Sequence, residues 1–240
     1  MRVAVLSDIH SNLVALDAVL AAAGPVDAIW QLGDVVGYGP DPNGVVSRLR
    51  EVGSIGVRGN HDAAACGGSE IEWFNPDARR AMEWTRATLT PESSSWLAAL
   101  PERHVAAACE LVHGSPREPM WEYVTSVPVA RANIATLAQP IGLHGHTHVP
   151  LAFVEDDGRI DAVSPGDGSE LELRGRRALL NPGGVGQPRD GDVRASFAIL
   201  DPDAGTIRWH RVAYDIEAVQ AAMREAGLPN NLAARLSFGL

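Results

Sequence analysis

The sequence predicts an α/β fold in which βα units come first and antiparallel strands follow. Short apolar runs at residues 3–6, 27–32 and 53–57 each end in a polar or glycine-rich loop, and helical patterns follow the first two. Beyond residue 150, short strand-like runs separated by turn residues replace the helices. The 240 residues can bury a sizeable core, and neither a linker nor an internal repeat divides them. We therefore expect a single domain over residues 1–240.

Composition argues against several classes of partner. The formal net charge of −10 argues against a general affinity for nucleic acid or for an anionic membrane. The first residues lack a secretory signal pattern, and no apolar run approaches the length of a membrane span. We expect a cytoplasmic protein. Cys66 and Cys109 lack the spacing of a metal or disulfide motif, so we assign them no role.

The first strand, Val3 to Leu6, is apolar throughout, which is typical of a strand buried on both faces. It ends in a polar loop where Asp8 and His10 point to the same side if the extended geometry persists. Because ligands gather at the carboxyl ends of strands in open α/β sheets, this pair is a candidate half of a metal site. The alternative is a polar loop whose Asp or Ser caps the helix predicted at residues 12–23.

The next two strands also end beside polar residues. Asp34 follows the strand predicted at residues 27–32, although a glycine-rich turn containing an Asp is the alternative on these residues alone. Asp41 and Pro42 then have the residue types of a helix N-cap and first turn, which predicts a helix through Leu49. The strand predicted at residues 53–57 leads into Asn60 and His61. Three consecutive strands therefore end beside potential ligands of a divalent cation.

The pattern changes over residues 66–125, which we interpret as a helical insert that serves as a lid or specificity element. Its helices are predicted to begin with Asn or Thr caps followed by proline. We interpret three of its tryptophans as packing residues rather than ligand platforms, namely Trp73, Trp84 and Trp96. The predicted elements here are helices at 75–89 and 91–100 and strands at 103–107 and 110–112.

Histidines dominate the next loops. His113 follows the strand at residues 110–112, and a strand at residues 141–143 opens into His144-Gly145-His146-Thr147-His148. Three histidines in five residues form the sharpest local signal in the chain. A pair such as His146 and His148 can converge on one site from an extended loop. We interpret His144 as a packing residue or a support for the ligands.

The last third of the chain is predicted to be mainly antiparallel sheet. Asp156-Asp157-Gly158 is a strong hairpin turn signal between strands at residues 151–155 and 159–163. A glycine- and proline-rich loop at residues 181–189 could fold back over the site. The remaining predicted elements are a helix at 129–137, strands at 170–173, 178–181, 195–201 and 206–212, and helices at 215–226 and 232–238.

Together these loops resemble those of the calcineurin-like metallophosphoesterase superfamily. The motifs match in order over residues 1–150, and the loop at Asn181 is similar to one in its small bacterial members. The matching motifs are Asp8-x-His10, Gly33-Asp34, Gly59-Asn60-His61-Asp62, His113 and Gly145-His146-x-His148. The resemblance implies a four-layer α/β/β/α sandwich, the metallo-dependent phosphatase fold, with two divalent metal ions between its loops.

The resemblance also implies a role for each motif residue. The first metal would lie on Asp8, His10, Asp34 and His148, and the second on Asp34, Asn60, His113 and His146. Asp34 would bridge both ions, because its two carboxylate oxygens can each bind one metal. His61 would be the acid for the leaving group or would stabilise the phosphoryl group, and Asp62 would orient it by accepting its second ring N–H. Such ligands accept Mn, Fe, Zn, Co or Ni according to availability, with manganese among the candidates.

The activity that the resemblance implies is hydrolysis of a phosphate ester by direct attack of a metal-bridging hydroxide, without a covalent phosphoenzyme. Tyr38 stands where the protein-phosphatase branch has an arginine, which favours the small phosphodiesterase branch. The expected substrates are therefore small phosphodiesters or nucleotides. The candidate substrate contacts are Asn12, Tyr38, Arg58 and Arg189, and for each of them a structural hydrogen bond is the alternative.

Two further interpretations stay open. Phosphomonoester hydrolysis and dinucleotide polyphosphate cleavage would use the same metal clamp. A non-catalytic metal-binding scaffold on the same fold is the alternative from another class. All seven ligand positions and His61 are filled in this sequence, which favours an enzyme over the scaffold.

Overall fold

The chain folds into two mixed β-sheets that pack face to face between helices. This computed structural model describes residues 1–240 apart from the side chain of Glu70. The strands are β1 (Val3–Leu6), β2 (Ala28–Gln31), β3 (Ile55–Gly56), β4 (Arg103–Ala106), β5 (Cys109–Val112), β6 (Ile141–Leu143), β7 (Leu151–Asp156), β8 (Arg159–Val163), β9 (Glu170–Glu172), β10 (Arg177–Asn181), β11 (Ala195–Asp201) and β12 (Thr206–Val212). The helices are α1 (Leu13–Ala23), α2 (Pro42–Glu51), α3 (Asn60–Ala65), α4 (Pro76–Thr88), α5 (Pro91–Ala99), α6 (Val127–Ile134), α7 (Ile216–Glu225) and α8 (Asn230–Arg235), with a 3-10 helix at Ser69–Trp73.

The first sheet has the strand order β3-β2-β1-β11-β12-β9, and the second has the order β4-β5-β6-β10-β7-β8. β1, β2 and β3 are parallel, whereas β11 pairs antiparallel with β1. In the second sheet β5, β6 and β10 are parallel and the outer strands are antiparallel. The parallel strands of each sheet supply the ends at which the candidate ligands lie.

Successive residues of β1 point to opposite faces of the first sheet and so pack against different layers. Val3 and Val5 belong to the apolar cluster between the two sheets. Ala4 and Leu6 belong to a second cluster with residues of α1 and α2. Full burial of a valine or leucine side chain stabilises a fold by roughly 1.5–3 kcal/mol. Helix α6 covers the outer face of the second sheet in a further apolar cluster. The predicted α/β/β/α sandwich is therefore confirmed.

The helix caps predicted at Asp41, Asn75 and Thr90 are confirmed, and α1 is capped by Asn12 instead of the Asp or Ser considered as an alternative. The side chains of Asn12, Asp41, Asn75 and Thr90 each accept a backbone N–H at the start of a helix. These bonds satisfy donors that the helix itself cannot pair, and they fix where each loop ends. The loops that carry the candidate site therefore begin at a strand and end at a defined helix start.

Some elements differ from the sequence prediction. The loop expected around Asn60 contains the short helix α3, which begins at Asn60 itself and is almost entirely buried. The strand expected at residues 53–57 is limited to Ile55–Gly56. Within residues 66–125, the helices end at Ala99, and β4 and β5 belong to the second sheet. The predicted insert is thus helical only in its first part.

The two C-terminal helices pack against α4 and the loop that follows β2. Residues of α7 and α8 form an apolar cluster with α4 and with the buried side chain of Tyr38. This packing links the first part of the insert to the loop that follows β2. In the described part of the chain, no helix is long and apolar enough to cross a membrane.

Candidate metal centre

The candidate ligands lie in loops at the carboxyl ends of parallel strands from both sheets. Backbone hydrogen bonds tie these loops together, because Asp8 N–H donates to Gly33 O at 3.1 Å and His10 N–H donates to Asp34 O at 3.0 Å. A hydrogen bond also links loops from the two sheets, since His146 N–H donates to Asp8 Oδ2 at 3.1 Å. The site is therefore held by the backbone as well as by its side chains.

Most of these ligands have left-handed backbone conformations rather than extended ones. The φ angles are 53° at Asp8, 49° at His10, 51° at Asp34, 67° at His146 and 60° at His148. Each such non-glycine residue costs on the order of 1–3 kcal/mol, and the surrounding structure must enforce it. The extended geometry under which Asp8 and His10 would point to the same side is therefore not present. Tight turns at the strand ends aim them into the site instead.

The first cluster contains Asp8, His10, Asp34 and His148, all of them buried. His148 Nε2 lies 3.3 Å from Asp8 Oδ1, and His10 Nε2 lies 3.7 Å from Asp34 Oδ2. The Nε2 atoms of His10 and His148 lie 3.2 Å apart. These four side chains are the ones that the resemblance implied for the first metal.

The second cluster contains Asp34, His113 and His146, and Asn60 lies beside it. His113 Nε2 lies 3.3 Å from Asp34 Oδ2, 3.0 Å from Asn60 Oδ1 and 3.0 Å from His146 Nδ1. Asp34 is therefore common to both clusters. The same oxygen, Oδ2, faces His10 and His113, while Oδ1 accepts the backbone N–H of His61, so the expectation that each oxygen serves one metal was wrong. His146 and His148 belong to different clusters, which is the division between the two metals that the resemblance implied.

The hydrogen bonds of the rings show that these residues fit divalent metal ions. The Nδ1 atoms of His10, His113 and His148 face the backbone carbonyls of Val36, Leu32 and Gln187 at 3.2, 2.9 and 2.6 Å. Such carbonyls accept the proton on Nδ1, which leaves Nε2 as the ring nitrogen directed into the site, where a metal ion would replace any proton that Nε2 carries. Among the residues that the structure describes, buried Asp8 Oδ1 has no hydrogen-bond partner. Buried lone pairs that face one another favour a cation between them.

The shifted pKa values of His113, Asp34 and Asp8 also favour a cation at this site. The pKa of His113 is about 9, because the nearby carboxylates of Asp34 and Asp8 outweigh the burial that would lower it. Burial alone would raise the pKa of Asp34, but His113, His61 and His10 hold it well below its usual value. The pKa of Asp8 is raised to about 7, mainly by burial. The second cluster thus favours positive charge at its centre.

His61 lies above the shared aspartate. Its backbone N–H donates to Asp34 Oδ1 at 2.9 Å, and its ring stacks on Phe74 with the centroids 4.5 Å apart. Burial lowers the pKa of His61 to about 4, so the ring is neutral at pH 7. Its Nδ1 atom has no hydrogen-bond partner in the described part of the structure. Because Nδ1 is buried, it is not the ring nitrogen that a ligand in the cavity would meet.

Asp62 does not orient this ring, so that part of the prediction was wrong. Its carboxylate oxygens accept the backbone N–H groups of Val36 at 3.0 Å and Gly59 at 2.9 Å. These bonds join the loop after β2 to the start of α3. Asp62 therefore positions the backbone on which Asp34 and His61 lie.

A cavity of about 160 Å³ opens above the ligands. Tyr38 and Arg189 line it, and the Cζ atom of Arg189 lies 5.8 Å from the centroid of the Tyr38 ring. The other two candidate contacts lie elsewhere. Asn12 caps α1 and donates to Gly186 O at 3.0 Å, whereas Arg58 pairs with Glu102 at 3.3 Å. For Asn12 and Arg58 the structural alternative is the one that the structure shows.

Sequence reasoning missed the aromatic wall of this cavity. The residues of the wall are Trp73, Phe74, Trp121 and Tyr123. The interpretation of Trp73 as a packing residue was wrong, because its side chain is 70% exposed. A signal was present in the sequence, since aromatic residues cluster on either side of the insert helices, at 73–74 and 121–123.

A buried asparagine supports the loop that contains His146 and His148. The side-chain amide of Asn181 donates to Gly145 O at 2.7 Å and lies 3.1 Å from Thr147 Oγ1. His144 is also buried there, and burial lowers its pKa to about 4. His144 is not a member of either ligand cluster among the described residues. This agrees with its interpretation as a supporting residue.

Comparison with known proteins identifies a matching family and a curated relative. The family model described as a calcineurin-like phosphoesterase superfamily domain matches residues 1–205. Uncharacterized protein MJ0912 of Methanocaldococcus jannaschii is 34% identical to this chain over 244 residues. The match covers 99% of this chain and 98% of the relative.

Solved structures share the whole fold. A metallophosphoesterase from Sphaerobacter thermophilus is 47% identical, with a TM-score of 0.93 and coverage of 100% of this chain and 99% of the other. Hypothetical protein PH1004 from Pyrococcus horikoshii OT3 is 20% identical, with a TM-score of 0.82 and coverage of 100% and 98%. At that identity, the second likeness concerns the fold alone.

Proposed function

This chain belongs to the calcineurin-like phosphoesterase superfamily, and from that membership we propose that it hydrolyses small phosphodiesters or nucleotides with two divalent metal ions. The membership implies a hydrolase of phosphate esters that uses divalent metal ions. The observation that carries the finer proposal is the pair of buried ligand clusters that share Asp34 beneath a small cavity.

The arrangement of the candidate ligands supports two metal positions. One ion would lie on Asp8, His10, Asp34 and His148, and the other on Asp34, Asn60, His113 and His146. When bound, the ions neutralise phosphoryl charge and lower the pKa of water. The carbonyl partners of the histidine rings fix the lone pairs in the required direction, so little reorganisation precedes binding.

His61 is the residue of this chain that we assign to the reacting phosphoryl group. A neutral imidazole retains one N–H, and that N–H can donate to a phosphoryl or leaving-group oxygen in the cavity. The stacked ring of Phe74 and the backbone bond to Asp34 restrict where the imidazole can point. His61 would therefore orient the ester and stabilise charge that develops on the leaving oxygen.

Charge in the cavity favours a diester over a monoester. Among its described lining residues, Arg189 is the only arginine or lysine. Tyr38 stands in place of the arginine that protein phosphatases use, and it contacts Arg189 through its ring. A phosphodiester has one negative charge and a monoester approaches two at neutral pH, so a diester needs fewer cations besides the metals.

The experiment that tests the proposed function is a comparison of esters with Mn²⁺ supplied. We expect hydrolysis of bis(p-nitrophenyl) phosphate with a higher kcat/KM than that of p-nitrophenyl phosphate, and cyclic nucleotides extend the comparison. Protein treated with a chelator is the control and should be inactive. Preference for the monoester would contradict the diester assignment. Full metal loading without hydrolysis of any ester would support the scaffold alternative.

A further inference from the structure

The mouth of the cavity has an exposed indole that the proposed hydrolysis does not use. Trp73 ends the 3-10 helix, and its side chain is 70% exposed. Its ring centroid lies 5.0 Å from that of Trp121, with 61° between the ring planes. Both residues line the cavity. A large apolar side chain left in solvent beside a site marks a surface that a ligand can cover.

The aromatic wall is continuous from the reacting centre to this mouth. Phe74 stacks on His61 and also contacts Trp121, with centroids 6.1 Å apart. On the other side Tyr123 stacks on His146, with centroids 4.0 Å apart. Phe74 and Tyr123 are therefore already in contact with histidines. Trp73 is the most exposed residue of the wall at 70%, and Tyr123 is 50% exposed.

The size of the cavity decides where a substrate must lie. Its volume of about 160 Å³ is smaller than the roughly 300–1,000 Å³ of pockets that enclose drug-sized ligands. The phosphoryl group fits beside the ligand clusters, but a bulky ester substituent must extend across the mouth. There it would meet Trp73 and Trp121, which offer aromatic faces, whereas Arg189 lines the interior.

We propose that Trp73 and Trp121 form a stacking platform that selects phosphate esters with a planar aromatic substituent, of which a nucleobase is the biological class. This inference rests on the proposed function, since it names the substrate class of that same site. Stacking of a base on an aromatic side chain is sequence-tolerant, because every base has a π-face. The platform would therefore distinguish nucleoside from sugar or alkyl esters and would discriminate less among bases.

A binding comparison tests the platform without relying on turnover. Adenosine 5′-monophosphate and ribose 5-phosphate differ only in the base, and their binding to Mn²⁺-loaded protein is measured by isothermal titration calorimetry. We expect the nucleotide to bind about tenfold more tightly or better. Trp73→Ala should reduce that ratio to within about twofold, whereas Trp73→Phe should retain most of it.

A matched control separates stacking from a general loss of exposed aromatic surface. Phe238 is 62% exposed and lies outside the described lining of the cavity, so Phe238→Ala should leave the ratio unchanged. Because Trp73 is largely exposed, its replacement should leave the circular dichroism spectrum and the metal content unchanged. Equal affinities in the wild type, or an unchanged ratio in Trp73→Ala, would overturn the platform.

The outcome for the platform is distinguishable from the outcome for the proposed function. Equal affinities in a protein that still hydrolyses bis(p-nitrophenyl) phosphate would overturn the platform alone. A nucleotide preference that depends on Trp73, in a protein without hydrolytic activity, would support the platform and overturn the proposed hydrolysis.

Discussion

The carboxylate of Asp34 accepts the backbone N–H of His61 through Oδ1 at 2.9 Å, while its Oδ2 atom faces His113 at 3.3 Å. One oxygen is therefore committed to the backbone and the other faces the ligand histidines. In Asp34→Asn, the amide oxygen must keep the bond to His61, so the NH₂ group would turn towards the centre of the site. We expect occupancy to fall at both metal positions, as measured by mass spectrometry of the bound metals.

The control for this variant is its fold, which the same hydrogen bond to His61 should preserve. An unchanged circular dichroism spectrum with reduced metal content is the expected result. Full loading with two metals in Asp34→Asn would contradict its role as the bridge.

His61→Ala should lose activity and keep its metals. Removal of a positioned imidazole donor typically costs about 10²–10⁴-fold in rate. His61 lies outside both described ligand clusters, so metal content should stay at the wild-type value. The measurement is kcat for bis(p-nitrophenyl) phosphate together with metal analysis, and His104→Ala in β4 is the control. Equal rates for wild type and His61→Ala would refute the assignment.

Asn181→Leu should weaken metal binding without removing a ligand. Its amide supports Gly145 O and Thr147 within the loop that contains His146 and His148, and leucine has a similar size but no donor. Loss of a group that orients metal ligands typically costs about 10–100-fold in affinity. Titration with Mn²⁺ would show this loss. A wild-type dissociation constant in the variant would mean that the loop keeps its shape without Asn181.

Gly59→Ala should disrupt the candidate metal centre, because the added methyl group would clash with Asp34. A methyl group at Gly59 would lie 2.1 Å from Asp34 Oδ1 and 2.3 Å from the Asp34 backbone nitrogen. Overpacking of this kind costs about 1–3 kcal/mol of unfolding free energy, and it would also displace the bridging carboxylate. Gly166→Ala is the matched control, because its nearest described neighbour would lie 3.9 Å away. Chemical denaturation and metal analysis of both variants would reveal the difference.

Metal binding should release protons at neutral pH. His113, with a pKa of about 9, must lose its proton to bind a metal, and Asp8, with a pKa of about 7, must be ionised. At pH 7.5 we expect release of about one proton or slightly more per protein. Affinity should fall further as the pH drops below 7, because Asp8 then also retains its proton. Calorimetry in buffers of different ionisation enthalpy measures the release, and a heat that is independent of buffer would contradict it.

Much of the fold could be predicted from local pattern. The strand Val3–Leu6 and the cap residues Asp41, Asn75 and Thr90 lie where the sequence indicated, because burial and capping depend on nearby residues. Helix α3 was missed because its six residues carry the ligand Asn60 and His61 in a polar motif. Helices of that length depend on tertiary packing more than on propensity.

The ligands could be recognised from the motifs, but their geometry could not. The left-handed backbone at Asp8 and His148 is imposed by hydrogen bonds between loops far apart in the sequence. The same is true of Asp62, whose partners Val36 and Gly59 are brought to it by the sheet. The proposed stacking role of Trp73 depends on the exposure of its side chain, which cannot be predicted from the sequence pattern.

The bond from His146 to Asp8 joins loops that belong to opposite sheets. A motion that separated the sheets would also separate the candidate metal ligands, so a substrate that enters through the cavity mouth leaves this bond in place. The cavity opens beside two short segments, residues 73–75 and 121–123. Substitutions in those two short segments would change which substrates enter the cavity and would leave the candidate metal ligands unchanged.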